Sequence, residues 1–242
     1  MQLITLNIWG GHLIEPLLAF IKKHQHIDIF CLQEVYHNAP HKVSNEDRQN
    51  HLNIFSELAA HLPEHQGFFR PVVNNTYGIA TFVKKSIDVL TEGETSIHHN
   101  PEYQGRGPTH SRNLQWLKCK FNQKNYTILN VHGLWNGKGK TDSEERLAQS
   151  KRIKAFMDQV NTPKILCGDF NLRPDTKSLE MLEQGMYNLI KTNHVISTRT
   201  SLYPKDEKFA DYVLVSPEIM VHEFKVLEDE VSDHSPLWLE FT

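Results

Sequence analysis

A carboxylate and an amide follow a short apolar stretch near the middle of the chain. Residues Lys164 to Cys167 read as a strand, and Gly168, Asp169 and Asn171 come directly after it. Side chains along a strand repeat every two residues, so a strand that ends here would point Asp169 and Asn171 to the same side. A general base beside a neutral hydrogen-bonding partner suits the activation of a water molecule. Residues 168–171 also fit a strand that ends in a capped turn, because Asp and Asn are ordinary turn residues.

Polar residues also stand at the ends of several other predicted strands. They are Asn7, Glu34, His132, Asp211, Asp233 and His234. If those strand ends meet at one rim, they gather carboxylates, amides and imidazoles in one place. Oxygen-rich sites of this kind suit hard divalent cations such as Mg²⁺ or Mn²⁺. Each residue alone fits a turn, a cap or a solvated loop, and their joint occurrence is what favours a site.

Apolar runs of strand length must position these residues. The predicted strands are Leu3–Ile8, Ile27–Leu32, Gly78–Val83, Leu114–Phe121, Tyr126–Val131, Ile165–Cys167, Tyr212–Val215 and Leu237–Phe241. Several runs are nearly continuous, which is typical of strands covered on both faces. Helical patterns between them predict an α/β fold of layered sheets with helices outside.

Four segments carry those helical patterns. They are Leu13–Ile21, Ile54–Leu62, the segment after Thr141 and Lys177–Glu183. Thr141 with Glu144, or Asp142 with Glu145, can form a capping box at the start of the third helix. Two polar segments, Tyr36–Gln49 and Glu92–Arg112, lack a pattern and are predicted to be irregular loops.

The composition is that of an ordinary globular protein. The 242 residues are 39% hydrophobic and 23% charged, and they contain no internal repeat or Gly/Ser linker, which predicts a single domain over residues 1–242. The first residues lack the basic region and long apolar run of a signal peptide, and no stretch is long enough to span a membrane. We therefore expect a cytoplasmic protein, with a monomer favoured. Cys31, Cys119 and Cys167 lie in strand-like runs without metal-type spacing, so buried free thiols are expected.

The formal net charge is −3. This value argues against a broad basic surface for sequence-independent binding of nucleic acid. It leaves room for a local basic patch.

The order Asn, Glu, His, Asp-x-Asn, Asp, Asp-His resembles the endonuclease/exonuclease/phosphatase superfamily, in its deoxyribonuclease I-like form. Its most specific motifs are Leu32-Gln33-Glu34, Gly168-Asp169-Phe170-Asn171 and Ser232-Asp233-His234. The resemblance covers almost the whole chain. It implies a four-layer sandwich of two mixed β-sheets flanked by helices, and metal-assisted cleavage of a phosphoester.

The resemblance also implies a role for each polar residue. Glu34 resembles the principal Mg²⁺ ligand, with Asn7 and Asp233 close to the metal or the phosphate. Asp169 resembles the base that takes a proton from the attacking water, and Asn171 its positioning partner. The remaining assignments concern three residues around the phosphate. His234 would bond a phosphate oxygen, Asp211 would orient His234, and His132 would lie near the leaving oxygen.

Two further residues are candidate substrate contacts. Arg112 opens the predicted strand that runs to Phe121, where family members often carry a supporting arginine, although a surface salt bridge fits as well. Trp135 begins a loop that reaches Lys140, and its aromatic ring and lysines would stack a base and hold a phosphate, unless the loop is only solvent-exposed. Arg146 and Gln149 are expected to brace or pack the helix that follows.

The substrate stays open at this level. The leading hypothesis is an Mg²⁺-dependent phosphodiesterase or nuclease, with nucleic acid as a plausible substrate. The alternative is a phosphomonoesterase on a small or lipid phosphate, similar to the inositol phosphatases or sphingomyelinases. A non-catalytic binding module on the same scaffold is less favoured, because the principal catalytic residues are all present.

Overall fold

The computed structural model describes residues 1–43 and 49–242, and two six-stranded sheets form its centre. The strands are β1 (Gln2–Asn7), β2 (Ile29–Tyr36), β3 (His65–Val73), β4 (Tyr77–Lys84), β5 (Asp88–His98), β6 (Arg112–Phe121), β7 (Lys124–His132), β8 (Lys164–Asp169), β9 (Tyr187–Asn188), β10 (Asp211–Val215), β11 (Val221–Val226) and β12 (Leu237–Phe241). The helices are α1 (Ile14–Lys23), α2 (Ile54–His61), α3 (Glu144–Asp158), α4 (Lys177–Glu183) and α5 (Leu189–Thr192).

Both sheets are mixed, and each has a parallel pair near its centre. The first sheet has the order β11-β12-β1-β2-β4-β3 and the second has the order β5-β6-β7-β8-β10-β9. The parallel pairs are β1 with β2 and β7 with β8, and the other pairings are antiparallel. The predicted class, two mixed sheets flanked by helices, is confirmed. Parallel strands end at the same edge, so these two pairs deliver four strand ends to the site.

The central strands of the first sheet, β1, β2 and β4, are apolar on both faces because each face is covered. Leu3 of β1 belongs to a core cluster shared with Leu129 and Leu166 of the second sheet. Its neighbour Ile4 faces the other way, into a cluster with Leu17 of α1 and other helix residues. This double burial explains the near-continuous apolar runs of the sequence. The three cysteines are buried and free, as expected.

A buried polar network fixes the two sheets against each other beneath the site. Gln33 of β2 donates from Nε2 to Asn130 Oδ1 of β7 at 2.8 Å. Thr81 of β4 donates to Gln115 Oε1 of β6, also at 2.8 Å. Buried polar groups of this kind are costly unless paired, so they favour one relative position of the sheets.

The predicted strands and helices are all present, but some local predictions are wrong. The segment Glu92–Arg112 is irregular only in part, because β5 extends to His98 and β6 starts at Arg112. Strands β3, β5, β9 and β11, the edge strands of the two sheets, were not expected, since polar or partly exposed residues, and Pro71 in β3, interrupt the apolar pattern. The predicted loop Tyr36–Gln49 follows β2, and its residues 44–48 lie outside the described residues.

The capping of α3 also differs from the prediction. Ser143 is the N-cap, and its hydroxyl accepts a hydrogen bond from Arg146 N at 3.3 Å. Asp142 instead accepts hydrogen bonds from the backbone N–H groups of Lys177 and Ser178 at the start of α4. The acidic residue before α3 therefore ties α4 to α3, which sequence spacing alone does not reveal. Within the described residues, none of the helices is long and apolar enough to cross a membrane.

Candidate active site

Asn7 joins the two sheets at the shared edge of their strand ends. Its Nδ2 donates to Glu34 Oε1 at 3.2 Å and to Asp169 Oδ2 at 3.0 Å. Its Oδ1 accepts from Trp9 N at 3.0 Å. The amide therefore fixes two carboxylates that come from different sheets.

Glu34 lies in a β-bulge. Gln33 pairs with Ile79 and Val35 with Gly78, so Glu34 is the extra residue of β2, and its φ of 60° is left-handed. A bulge re-aims a side chain, and a non-glycine residue in this conformation is strained. The bulge turns the Glu34 carboxylate towards the pocket that Asp169 also lines.

Asp169 and Asn171 meet through a turn and not through strand alternation. Strand β8 ends at Asp169, and Asn171 takes a left-handed φ of 53°. Asn171 N donates to Asp169 Oδ1 at 2.8 Å, and its Nδ2 lies 3.3 Å from Asp169 Oδ2. Asp169 and Asn171 therefore contact each other, as predicted, but the capped turn brings them together and strand alternation does not.

Two glycines let this turn form. A Cβ on Gly168, whose φ is +131°, would lie 2.1 Å from the carbonyl oxygen of Val131. A Cβ on Gly133 would lie 2.1 Å from the carbonyl oxygen of Phe170. The ends of β7 and β8 can therefore approach closely only with glycine at both positions.

His234 is held between three carboxylates. Its Nδ1 lies 2.8 Å from Asp211 Oδ1, and its Nε2 lies 3.7 Å from Asp169 Oδ2 and 3.8 Å from Asp233 Oδ1. Asp211 opens β10, which pairs with β8 so that Asp211 is opposite Asp169. The antiparallel register thus brings the orienting carboxylate to the same edge as the candidate base.

His132 ends β7 beside Asp169, with which it is paired in the parallel register. Its Nε2 lies 3.7 Å from Asp169 Oδ2. Burial, and then the positive charge of Arg112, hold the pKa of His132 well below its usual value. His132 is therefore a neutral imidazole at physiological pH.

Asp169 is an ionised carboxylate at the centre of the site. Burial alone would raise its pKa, but the charges around it, His234 first and Lys140 next, lower the pKa well below the usual carboxyl range. The carboxylate is therefore ionised over the whole physiological range.

The donor set fits a hard divalent cation. Glu34, Asp169 and Asp233 line one pocket, and carboxylate oxygens are the ligands that such ions prefer. A second arrangement is also present, because one ligand atom each of Asp169, Asp211 and His234 lie within 4.8 Å of one another. Asp211 and His234 already bond each other at 2.8 Å, however, so this group reads better as a hydrogen-bonded relay. Glu34 and Asp233, which also line the pocket, are the other carboxylates that could face an ion.

Arg112 is buried and not part of a surface salt bridge. Its Nη2 donates to Pro108 O at 3.1 Å, whereas Nε and Nη1 have no hydrogen-bond partner among the described residues. It lines the same pocket as Glu34 and Asp169. Its free donors are therefore available to an anionic ligand.

The loop from Trp135 to Lys140 is fixed from below by Arg146. The Arg146 guanidinium donates to the carbonyl oxygens of Leu134, Gly139 and Thr141, and Leu134 N donates to Gln149 Oε1 at 2.9 Å. The expected bracing role of Arg146 and Gln149 is confirmed. Trp135 lines the pocket, with Lys205 Nζ 5.3 Å from the centroid of its ring system.

Arg199 and His110 line the pocket but were not identified from the sequence, whereas Lys140 belongs to the loop whose lysines were expected to hold a phosphate. Lys140 is buried and lines the pocket, and burial lowers its pKa to about 8 although Asp169 opposes the shift. The guanidinium carbon Cζ of Arg199 lies 4.0 Å from the ring centroid of Tyr203, and Arg199 Nη1 donates to Asp233 Oδ2 at 3.3 Å. His110 is also buried there, its pKa lowered by burial and then by Arg112. These residues follow no periodic pattern. A single charged residue in a loop is predicted from sequence to face water, and only the folded structure shows that it is buried.

The ten residues singled out in the sequence lie together. Eight of them line one pocket of about 330 Å³: Glu34, Arg112, His132, Trp135, Asp169, Asn171, Asp233 and His234. Asn7 and Asp211 lie behind this lining and bond Glu34 and His234. The arrangement contains a carboxylate that can act as a base, oxygen atoms that can ligate a cation and fixed cationic donors. These groups together suit hydrolysis of a phosphoester.

The chain is similar to a known family and, in its fold, to several solved structures. The model of the Endonuclease/Exonuclease/phosphatase family matches residues 4–234. No curated protein matches the chain. An endonuclease/exonuclease/phosphatase of Bacteroides vulgatus is 21% identical, with a TM-score of 0.77 over 100% of this chain and 98% of the other. A mannosyl-6-phosphatase of Bacteroides thetaiotaomicron is 18% identical, with a TM-score of 0.76 over 100% and 99%. D. rerio TDP2, complexed with a single strand DNA product, is 14% identical, with a TM-score of 0.73 over 100% and 98%.

Proposed function

Since the chain belongs to the Endonuclease/Exonuclease/phosphatase family, we propose that it is an Mg²⁺-dependent phosphoester hydrolase in which Asp169 activates water and Glu34 binds the metal. Members of this family are phosphoester hydrolases, nucleases and phosphatases among them, so the chain is an enzyme that acts on ester bonds. They typically depend on a divalent metal. The two sheets share one core cluster, which supports the proposal of a single domain over residues 1–242.

One observation carries the mechanism. Asn7 bonds both Glu34 and Asp169, and His234 Nε2 lies 3.7 Å from the same Asp169 oxygen that Asn7 contacts. The metal ligand, the base and the phosphate-binding imidazole are therefore held within a few ångströms of one another. Such preorganisation places charges where the transition state develops them.

Glu34 would hold the cation, with Asp233 and Asn7 beside it. A bound divalent cation neutralises charge on phosphoryl oxygens and lowers the pKa of water. Asp169 accepts the proton of the attacking water, and the amides of Asn7 and Asn171 keep its carboxylate oriented. The low pKa of Asp169 ensures that the base is charged before the water arrives.

His234 donates to a phosphoryl oxygen from Nε2, because Asp211 holds Nδ1. The carboxylates of Asp211, Asp169 and Asp233 surround the His234 ring and fix the direction in which Nε2 points. His132, being neutral, serves as a hydrogen-bonding group near the leaving oxygen. Arg112 contributes its free N–H groups to the phosphate.

The substrate has two candidates. A phosphodiester or nucleic acid is the first, and the structural likeness to D. rerio TDP2, solved with a single strand DNA product, is consistent with it. A small phosphate monoester is the second, and the pocket favours it. Loops carrying Pro108, Trp135 and Tyr203 bound a volume of about 330 Å³, which suits a small molecule better than a duplex. The neighbour described as a mannosyl-6-phosphatase acts on such a compound.

The experiment that tests this function is a substrate panel. The purified chain is incubated with single- and double-stranded DNA, RNA, 4-nitrophenyl phosphate and bis(4-nitrophenyl) phosphate, each with Mg²⁺, Mn²⁺ or chelator. We expect hydrolysis of at least one phosphoester that requires the metal and stops with chelator. Absence of hydrolysis in every arm would contradict the proposal and support a binding module.

A further inference from the structure

The ammonium group of Lys140 is buried in the pocket without a partner. The residue is 2% exposed, and its Nζ makes no hydrogen bond within the described residues. An ammonium carries three N–H donors, and burying them unpaired is costly. A protein retains such a group where something else supplies the acceptor.

The surroundings of Lys140 hold its charge in place but leave its donors free. Its Nζ lies 6.0 Å from the ring centroid of Trp135 and 5.6 Å from that of Tyr203. Aromatic faces attract a cation without accepting conventional hydrogen bonds. The backbone is fixed as well, because Arg173 N donates to Lys140 O at 2.9 Å and Arg146 braces the preceding loop. Lys140 is therefore positioned before any ligand binds.

The pocket is locally basic in an acidic chain. Four basic side chains, Arg112, Lys140, Arg199 and Lys205, line it against three acidic ones in the part of the chain that the structure describes. The whole chain has a net charge of −3. Nε of Arg199 and two donors of Arg112 also have no partner among the described residues. A divalent cation would add further positive charge, so the pocket suits an anion with more than one negative charge.

We propose that Lys140 binds a terminal phosphate of the substrate and thereby gives the site a preference for phosphate monoesters over diesters. A diester has two non-bridging oxygens and one negative charge. A monoester near neutral pH has a third non-bridging oxygen and a second charge, and Lys140 Nζ donates to that oxygen. The inference rests on the proposed function, since it concerns the same site.

The test compares a matched monoester and diester. The rates of hydrolysis of 4-nitrophenyl phosphate and bis(4-nitrophenyl) phosphate are measured with Mg²⁺ for the native chain, Lys140→Met and Lys140→Arg. Loss of a charge-assisted hydrogen bond lowers affinity by about 10- to 100-fold. We expect Lys140→Met to lower the monoester-to-diester ratio of kcat/KM at least about tenfold, mainly through the monoester KM. Lys140→Arg should restore most of the ratio, because it keeps the charge.

Binding of inorganic phosphate gives a second readout that needs no turnover. The inhibition constant of inorganic phosphate should rise about tenfold or more in Lys140→Met. Lys138→Met is the matched control, since Lys138 is exposed on the same loop and outside the pocket lining. Removing an unpaired buried charge should not lower the melting temperature, and Lys140→Gln serves as a second variant should Lys140→Met fold poorly.

The outcomes separate this inference from the proposed function. Equal losses on both substrates, or unchanged phosphate inhibition in Lys140→Met, would overturn the role of Lys140 while metal-dependent hydrolysis stands. If the native chain hydrolyses only the diester, the role of Lys140 is likewise overturned while the proposed function stands. Absence of metal-dependent hydrolysis of either substrate would overturn the proposed function and this inference with it.

Discussion

His234 Nδ1 lies 2.8 Å from both carboxylate oxygens of Asp211, and both residues are almost fully buried. Thr198 Oγ1 donates to Asp211 Oδ2 at 3.1 Å, so the carboxylate is itself held in place. The contact fixes the His234 ring and directs Nε2 into the pocket. We therefore propose that Asp211 is a positioning residue, which would act on the substrate through His234.

The variant Asp211→Asn tests this relationship. An amide has one oxygen and no negative charge, so it binds Nδ1–H less well and orients the His234 ring less firmly. We expect kcat to fall about 100-fold, with a smaller change in KM. Steady-state hydrolysis of the best substrate of the panel measures this. Asp175→Asn, at an exposed carboxylate, is the control, and a decrease of less than threefold in Asp211→Asn would argue against the role.

The variant Asp169→Asn removes the candidate base while keeping the shape of the side chain. Without a carboxylate, the attacking water has no proton acceptor, so kcat should fall about 1,000-fold or more. Thermal unfolding should still show a cooperative transition, which separates lost chemistry from lost folding. Full activity in this variant would remove Asp169 as the base. Asp158→Asn, at an exposed carboxylate of α3, is the matched control.

The variant Glu34→Ala tests the metal assignment. Loss of the principal ligand should raise the Mg²⁺ concentration for half-maximal activity about tenfold or more and lower the maximal rate as well. A titration of rate against Mg²⁺ measures both quantities. The control is Glu57→Ala on α2, whose side chain is 44% exposed. An unchanged Mg²⁺ titration in Glu34→Ala would contradict the ligand role.

The sequence predicted the residues of the site better than the long-range contacts that position them. Asn7, Glu34, His132 and Asp169 were recognisable because strand ends of parallel pairs share an edge, which is a property of the backbone. The bulge that aims Glu34 depends on the pairing of β2 with β4, so it is a long-range feature that no local pattern carries.

The burial of Lys140 and the position of Arg199 were not predicted, for a related reason. Each lies in a loop, where a charged residue usually faces water, and only the folded loop shows that its side chain is buried. The edge strands β3, β5, β9 and β11 were not predicted because edge strands do not need an apolar pattern on both faces. The periodic apolar pattern of the sequence therefore predicts the core strands and helices. Which charged side chains line the pocket depends on tertiary contacts that this pattern does not show.

The variant Gly168→Ala tests the close approach beneath Asp169. Its Cβ would lie 2.1 Å from Val131 O, and the backbone φ of +131° is unfavourable for alanine. We expect the free energy of unfolding to fall by about 2–4 kcal/mol, measured by urea denaturation. Gly185→Ala is the matched control, because its φ is also positive, at +77°, but nothing lies within 4 Å of the new Cβ. That control should lose only about 1–2 kcal/mol, and equal losses in the two variants would show that the contact with Val131 is unimportant.

The titration of Lys140 predicts an alkaline limb in the activity towards monoesters. Burial lowers its pKa to about 8, so the side chain is charged below that pH and neutral above it. If the ammonium binds the phosphate, kcat/KM for 4-nitrophenyl phosphate should fall as pH rises through about 8. Arginine stays charged throughout, so the ratio of the native rate to the Lys140→Arg rate removes pH effects of the metal and the other groups. That ratio should decline between pH 7 and pH 9, and a ratio that stays constant over this range would show that the charge of Lys140 does not contribute to binding of the substrate.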